Sequence, residues 1–147
     1  MAGTREEHFT SVFGTVAQVV REDVPIMYLD VDFDVEAIQA GWPDFESRFG
    51  SMRGRRTMAV VFPERGVYRL ATSMRDEDDP DVLGLSMGAL PGGRYLQLTL
   101  VGEAPGVYRD IGPAFDVLHG LGDYDGARPS VEVYRGRGEV ECLLPVH

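Results

Sequence analysis

The chain has 147 residues, of which 44% are hydrophobic and 26% are charged, and these proportions are typical of a globular protein with room for one domain and a modest pocket. Its formal net charge of -10 repels nucleic-acid phosphates, and no basic stripe offsets that field. We therefore expect no direct binding of nucleic acid.

The first 24 residues predict an amphipathic N-terminal helix that precedes a main domain over residues 25–147. Thr4 and Glu7 have the spacing of a capping box. The apolar residues behind them recur at helical spacing: Phe9, Val12, Phe13, Val16, Val19 and Val20. This helix is expected to pack on the same core or on a second subunit, or to cover a pocket as a lid.

Residues 25–35 alternate between apolar and polar side chains, which predicts a strand with one wet face. Asp34 is placed to cap a following helix. One stripe of that helix is apolar: Ile38, Trp42, Phe45, Phe49 and Met52. Pro43 lies within the stripe and predicts a kink or a restart.

Two β-rich runs, 57–62 and 67–73, predict a hairpin, and residues 75–92 predict a long connection with a short strand near Leu83 and Leu85. The pattern then begins again with a strand over 94–101. A helix follows, with its stripe at Val107, Ile111, Ala114, Phe115 and Leu118. A final hairpin turns at residues 135–138.

This repeated order of strand, helix and hairpin predicts an α+β fold made of two β-α-β-β halves. The halves would be related by a pseudo-twofold axis in an antiparallel sheet with its helices on one side, plus the extra N-terminal helix. A cleft between such halves is a natural ligand site.

Glu132 is the residue in the last hairpin that requires an explanation. Period two places Val131 and Val133 on one face of the strand and Glu132 with Tyr134 on the other. Three interpretations stay open. The carboxylate faces solvent or pairs with an arginine such as Arg94 or Arg128; it is left unpaired to receive a cationic ligand among aromatic rings; or it acts as a general acid or base with a raised pKa.

Several segments resemble the GyrI-like superfamily, which includes the effector-binding domains of AraC-type and MerR-type multidrug regulators. The segments are PGGRY at 91–95, GRRTMAVVFPERGVYR at 54–69, DPDVLGL at 79–85 and RPSVEVYRGRGEVECLLPV at 128–146. The resemblance covers about residues 25–146 and points to a stand-alone, single-domain branch. The chain lacks the DNA-binding helix-turn-helix of such regulators.

The resemblance implies a pocket between the two halves with Glu132 as its central, ligand-facing carboxylate. It implies aromatic walls from the first strand, the first helix and the neighbouring strands. The matching positions are Tyr28, Trp42, Phe45, Tyr95, Phe115 and Tyr134.

Motifs for other chemistry do not stand out in the sequence. There is no glycine-rich nucleotide-binding pattern, and His8, His119 and His147 lack ligand spacing, so we expect no cofactor and no metal. Cys142 is alone and predicts a buried, reduced thiol. With no signal-peptide pattern and no membrane-length apolar run, the protein is expected in the cytoplasm, away from membranes; a homodimer is left open.

The leading functional hypothesis is a stand-alone binding protein for drug-like or toxin-like small molecules, apolar or cationic, with a link to transcription regulation. The first alternative is a hydrolase that opens cyclopropane rings of DNA-alkylating natural products. In it, Glu132 would direct water or a proton, aided by Tyr134 or Tyr28. The second alternative is a protein-interaction module that modulates a regulator.

Overall fold

Within residues 8–147, nine strands form one antiparallel sheet, and three α-helices accompany it. The computed structural model describes residues 8–147. The strands are β1 (His8–Ser11), β2 (Gly14–Arg21), β3 (Val24–Asp32), β4 (Thr57–Phe62), β5 (Val67–Ser73), β6 (Ser86–Leu90), β7 (Gly93–Val101), β8 (Ser130–Tyr134) and β9 (Glu139–Pro145). The helices are α1 (Val35–Ser47), α2 (Pro80–Leu83) and α3 (Ile111–Leu121). The predicted α+β class is confirmed.

The strand order across the sheet is β1-β2-β7-β9-β8-β4-β5-β3-β6. The central pair is β4 with β8, and their registered partners run from Thr57 opposite Tyr134 to Val61 opposite Ser130. Outward from this pair lie β5 and β3 on one side and β9 and β7 on the other. No helix within residues 8–147 combines the length and apolar character needed to cross a membrane.

The first strand and helix arise where the alternation and the cap predict them. β3 carries the alternating segment, and the Ala37 backbone N–H donates to Asp34 Oδ1 at 2.8 Å, which caps α1. The helix continues through Pro43 as one element to Ser47. At Gly41 the helix lies so close to the sheet that an added Cβ would stand 2.9 Å from Leu70 Cδ1.

The two predicted hairpins are present, with a short 3-10 turn and a left-handed Gly66 joining β4 to β5. The connection after β5 differs in detail from the prediction. Its helix α2 takes Leu83, and the short strand β6 begins at Ser86, because Gly84 with its positive φ of 68° ends the helix between them.

The predicted N-terminal helix is wrong for residues 8–21, which form the hairpin of β1 and β2. β2 then pairs with β7, so the hairpin extends the same sheet. Three valines within β2 favour an extended chain, and Gly14, at a φ of 118°, opens that strand after the turn. The capping-box residues Thr4 and Glu7 lie outside the described residues.

Both faces of the sheet carry buried side chains. On one face, α1 covers a cluster that includes Met27, Phe45 and Leu70, and α3 covers a cluster that includes Leu98 and Leu118. The opposite face carries a third cluster, with Ile26, Met58, Val60, Ala71, Tyr95, Val131, Val133 and Leu143. The helices therefore lie on one side of the sheet, as predicted.

Candidate ligand-binding site

Glu132 lies on the helix-covered face, in the middle of an apolar row that crosses the sheet. Its registered neighbours are Ala59 on β4 and Cys142 on β9. The row continues through registered partners on both sides, in the order Phe9, Val16, Leu98, Cys142, Glu132, Ala59, Leu70 and Leu29. Glu132 is the one charged member of this row, and only 8% of it is exposed.

Two tyrosine hydroxyls donate to the same oxygen of this carboxylate. The Tyr68 hydroxyl lies 2.8 Å from Glu132 Oε1, and the Tyr134 hydroxyl lies 2.5 Å from it. The two hydroxyl oxygens are 3.3 Å apart. These bonds offset part of the cost of burying the carboxyl group, but because both donors are neutral they do not compensate the charge of its ionised form.

No arginine within residues 8–147 lies within 4.0 Å of Glu132. Arg128, one of the two candidates from the sequence, instead pairs with Asp125 at 2.9 Å and donates to the Val146 carbonyl at 2.7 Å. Arg94, the other candidate, is exposed. Glu132 is thus neither solvent-facing nor neutralised by a guanidinium in the described part of the chain.

The ionisation of this cluster follows from its burial. Desolvation raises the pKa of the Glu132 carboxyl above its usual range, and the hydrogen bonds from Tyr134 and Tyr68 oppose that rise. Burial also raises the pKa of the Tyr134 and Tyr68 phenols, and the nearby carboxylate adds to the effect. On the neighbouring strand, burial and then Glu132 raise the pKa of the Cys142 thiol to about 12. The phenols are therefore protonated donors at neutral pH, and Glu132 is the group of the cluster that can carry a negative charge.

An open cleft of about 760 Å³ lies above this cluster. Its aromatic lining consists of Trp42, Tyr68, Tyr108 and Tyr134. The other lining residues are Ile38, Gln39, Glu46, Met52, Gly54, Arg55, Thr57, Gly136 and Arg137. The two tyrosines that bond Glu132 are thus part of the cleft surface, with the carboxylate directly behind them.

The rings of the cleft meet edge to face. The Tyr134 ring has its centroid 5.6 Å from that of Trp42 and 6.0 Å from that of Tyr108, both in T-shaped arrangements. Trp42 in turn meets Phe45 at 6.1 Å. Such contacts fix the rings in place while leaving parts of their faces available to a ligand.

Tyr28 and Tyr95 do not share this cleft, which corrects the expected set of aromatic walls. Both pack with the cluster on the opposite face of the sheet. Tyr28 lies under the Arg69 guanidinium at 3.7 Å, and the Tyr95 hydroxyl donates to the Pro91 carbonyl at 2.5 Å. The reason is the alternation of side chains along a strand. Tyr28 and its registered partner Ala71 lie at strand positions that face away from α1 and α3.

Phe45 and Phe115 lie on the helix side but not on the cleft surface. Phe45 is fully buried beneath Trp42 and supports it from within the core. Phe115 packs against the cluster under α3. Among the sequence-predicted residues, the structure therefore brings together Glu132, Tyr134 and Trp42, with Phe45 behind them.

Two functional candidates were missed from the sequence. Tyr68 lies on the predicted strand β5, but its contact with Glu132 spans 64 positions of sequence, and no local pattern reveals it. Tyr108 lies in a short 3-10 turn before α3 and is 38% exposed, where a large aromatic side chain is a mild signal of a binding surface.

The arrangement can bind a cation or a polarised group, or exchange a proton, through a desolvated carboxylate flanked by phenols. Within residues 8–147, no group of three or more His, Cys, Asp or Glu side chains is arranged to hold a metal ion.

No family model matches the sequence, and no curated protein does so either. Solved structures do match. An integron cassette protein from the mobile metagenome of Vibrio cholerae has a TM-score of 0.69 at 12% identity, over 90% of this chain and 95% of that protein.

Two further solved structures have a similar fold. The protein SAV2435, solved bound to tetraphenylphosphonium, has a TM-score of 0.61 at 12% identity, over 90% of this chain and 93% of that one. A putative bacterial transcription regulation protein from Staphylococcus aureus MU50 has a TM-score of 0.55 at 13% identity, over 98% and 99% of the two chains. At these identities, the likenesses establish the fold of the chain.

Proposed function

We propose that this chain is a stand-alone binding protein for small aromatic or apolar cations, with Glu132 as the counter-charge. The observation that carries the proposal is a buried, hydrogen-bonded carboxylate with no arginine partner among residues 8–147, directly behind the tyrosines of a 760 Å³ cleft. A volume of this size suits a drug-like ligand. Aromatic faces add about 0.5 to 2 kcal/mol for each good contact with a cation.

The comparisons support this proposal in a general way. SAV2435 was solved with tetraphenylphosphonium, a phosphonium cation that bears four phenyl groups. The order of strands outward from β4 and β8 is what two β-α-β-β halves about a pseudo-twofold would give, which supports membership of the GyrI-like superfamily. We also propose that residues 25–147 form the ligand-binding unit and that the protein acts in regulation. The fold shared with the putative transcription regulation protein from Staphylococcus aureus MU50 supports the second point.

Tetraphenylphosphonium and tetraphenylborate make a sharp pair of probes, because they share a shape and differ in the sign of the charge. Trp42 is the single tryptophan of the chain and lines the cleft, so quenching of its fluorescence reports binding at the site. We expect tight binding of the phosphonium and weak binding of the borate.

The matched variant is Glu132→Gln, whose amide oxygen can still accept from Tyr68 and Tyr134. A unit charge about 6 Å from the carboxylate, at an effective dielectric of about 20, gains about 3 kcal/mol, or roughly 100-fold in Kd. We expect Glu132→Gln to lose most of the preference for the phosphonium, in high salt as well as low, since a buried pair is weakly screened. Equal binding of the phosphonium to both proteins would refute the proposal.

Hydrolysis is the second candidate, and the geometry of the carboxyl and phenols favours it. A carboxyl with a raised pKa, bonded to Tyr134, suits general acid or base catalysis of water addition to a strained cyclopropane. Tyr28 cannot assist, because it lies on the other face of the sheet. Mass spectrometry of a cyclopropane-bearing alkylator after incubation tests the idea: the mass of one added water supports it, and an unchanged compound at high protein concentration eliminates it.

A further inference from the structure

The cleft carries charges of both signs at separate places. Glu132 provides the negative charge behind the tyrosines, while Arg55 and Arg137 both contribute to the lining. The Arg137 guanidinium would repel a ligand that carries only positive charge, whereas the charge of Arg55 is compensated by Asp78.

Arg55 is a buried part of this lining, with 9% of its side chain exposed. Its terminal nitrogens donate to Asp78 at 2.6 and 2.9 Å, and its guanidinium also lies 4.6 Å from the ring centre of Phe49. Its third nitrogen, Nε, is the one buried side-chain nitrogen or oxygen within residues 8–147 that has no hydrogen-bond partner. Arg55 is thereby fixed in position at the cleft wall.

Arg137 is the second arginine of the lining and is exposed in the turn between β8 and β9. Within the described residues it has no carboxylate partner within 4.0 Å. Glu46, on α1 one turn beyond Trp42, is the acidic residue of the cleft lining, and it does not form an ion pair with Arg137. The positive charge of Arg137 is thus available to a bound molecule.

We propose that the ligand is amphoteric, with a cationic group toward Glu132 and an anionic or strongly accepting group toward Arg137 and the Arg55 wall. This inference rests on the proposed binding of cations and adds the second recognition point. The overall charge of -10 makes such a preference diagnostic, because the general field of the protein disfavours an added negative group.

The test compares two probes: a triphenylphosphonium cation that carries a carboxybutyl chain, and its methyl ester. Both keep the cation, and only the first offers a carboxylate. Titration by Trp42 fluorescence at low ionic strength should show the acid bound about three- to five-fold more tightly than the ester, the range of an exposed ion pair. Arg137→Gln should abolish that ratio, and Glu46→Gln should increase it.

The outcomes separate this inference from the function on which it rests. If Glu132→Gln weakens both probes and the acid binds no better than the ester, cation binding stands and the amphoteric ligand is refuted. A preference for the acid that survives Arg137→Gln also overturns the inference, as does failure of both probes to bind while tetraphenylphosphonium binds. If no phosphonium binding depends on Glu132, the proposed function itself fails.

Discussion

Replacing Tyr134 by Phe removes one hydroxyl from Glu132 and keeps the ring that packs on Trp42. The bond from Tyr134 to Glu132 Oε1 is 2.5 Å long and charge-assisted when the carboxylate is ionised. A bond to a charged group contributes about 1.5 to 3 kcal/mol, whereas a bond between neutral groups contributes about 0.5 to 1.5 kcal/mol. We therefore expect Tyr134→Phe to lower the free energy of unfolding by about 2 kcal/mol at pH 8.

A double-mutant cycle isolates the contribution of the charge. In a Glu132→Gln background the same Tyr134→Phe change should cost only about 1 kcal/mol, which leaves a coupling of about 1 kcal/mol. Urea unfolding followed by Trp42 fluorescence measures all four proteins. Tyr108→Phe is the control, because its ring also contacts Tyr134 but its hydroxyl has no hydrogen bond within residues 8–147.

The result that would refute this reasoning is an equal loss on Tyr134→Phe in both backgrounds. Such additivity would mean that the hydroxyl does not interact with a charged Glu132. A loss as large in Tyr108→Phe would likewise show that the effect comes from ring packing.

Three further changes test the surroundings of the site. Because the pKa of Glu132 is raised, the folded state holds its proton more tightly than the unfolded state, and the stability of Glu132→Gln relative to the parent should increase as pH rises from about 4.5. Urea unfolding of both proteins across pH measures this difference, and a constant difference would contradict the prediction. Arg55 lowers the pKa of Asp78 to about 2, so this ion pair stabilises the fold above pH 3.8 and loses its contribution as pH falls toward 2. Asp78→Asn should therefore lower the free energy of unfolding by about 3 kcal/mol at pH 7. An equal loss measured near pH 2 would contradict this prediction. Gly41→Ala should lower the free energy of unfolding by about 1 kcal/mol, because overpacking against Leu70 costs more than the roughly 1 kcal/mol of helix propensity that alanine adds. A higher melting temperature would contradict this and show that the helix can move away from the sheet.

The sequence predicted most of the sheet because its strands follow simple local rules. β4 and β5 begin and end at the predicted residues, since a Pro and a Gly bound the turn between them. Asp34 caps α1 as expected because a short acceptor before an apolar stripe has few other roles. On β8, period two alone placed Glu132 opposite in direction to Val131 and Val133.

The N-terminal error shows where local rules become ambiguous. Val16, Val19 and Val20 satisfy helical spacing, yet β-branched side chains pack at least as well in a strand. The neighbouring strand determines which structure forms, because Val16 pairs with Leu98 on β7 and packs in the core under α3. A single sequence does not contain that pairing.

The aromatic residues of the site separate in the same way. The family resemblance assigned Trp42 and Tyr134 to one cleft, and period two also places Tyr134 on the same face of its strand as Glu132. Tyr28 and Tyr95 needed knowledge of which sheet face the helices cover, and Tyr68 needed the register of β5 against β4 and β8. The alternation of side chains along a strand is a local property, whereas the face of the sheet that the helices cover is a property of the whole fold.

The position of Glu132 explains why binding is favoured over a purely structural role. An apolar residue in this row between Ala59 and Cys142 would join two clusters into one core without a desolvation cost, so the carboxylate does not serve stability. An arginine partner would remove the cost and also the attraction for a cation. Two phenols instead compensate the carboxylate only in part, because they supply hydrogen bonds without charge. The uncompensated carboxylate destabilises the empty protein, and in the function that we propose a bound cation supplies the missing positive charge.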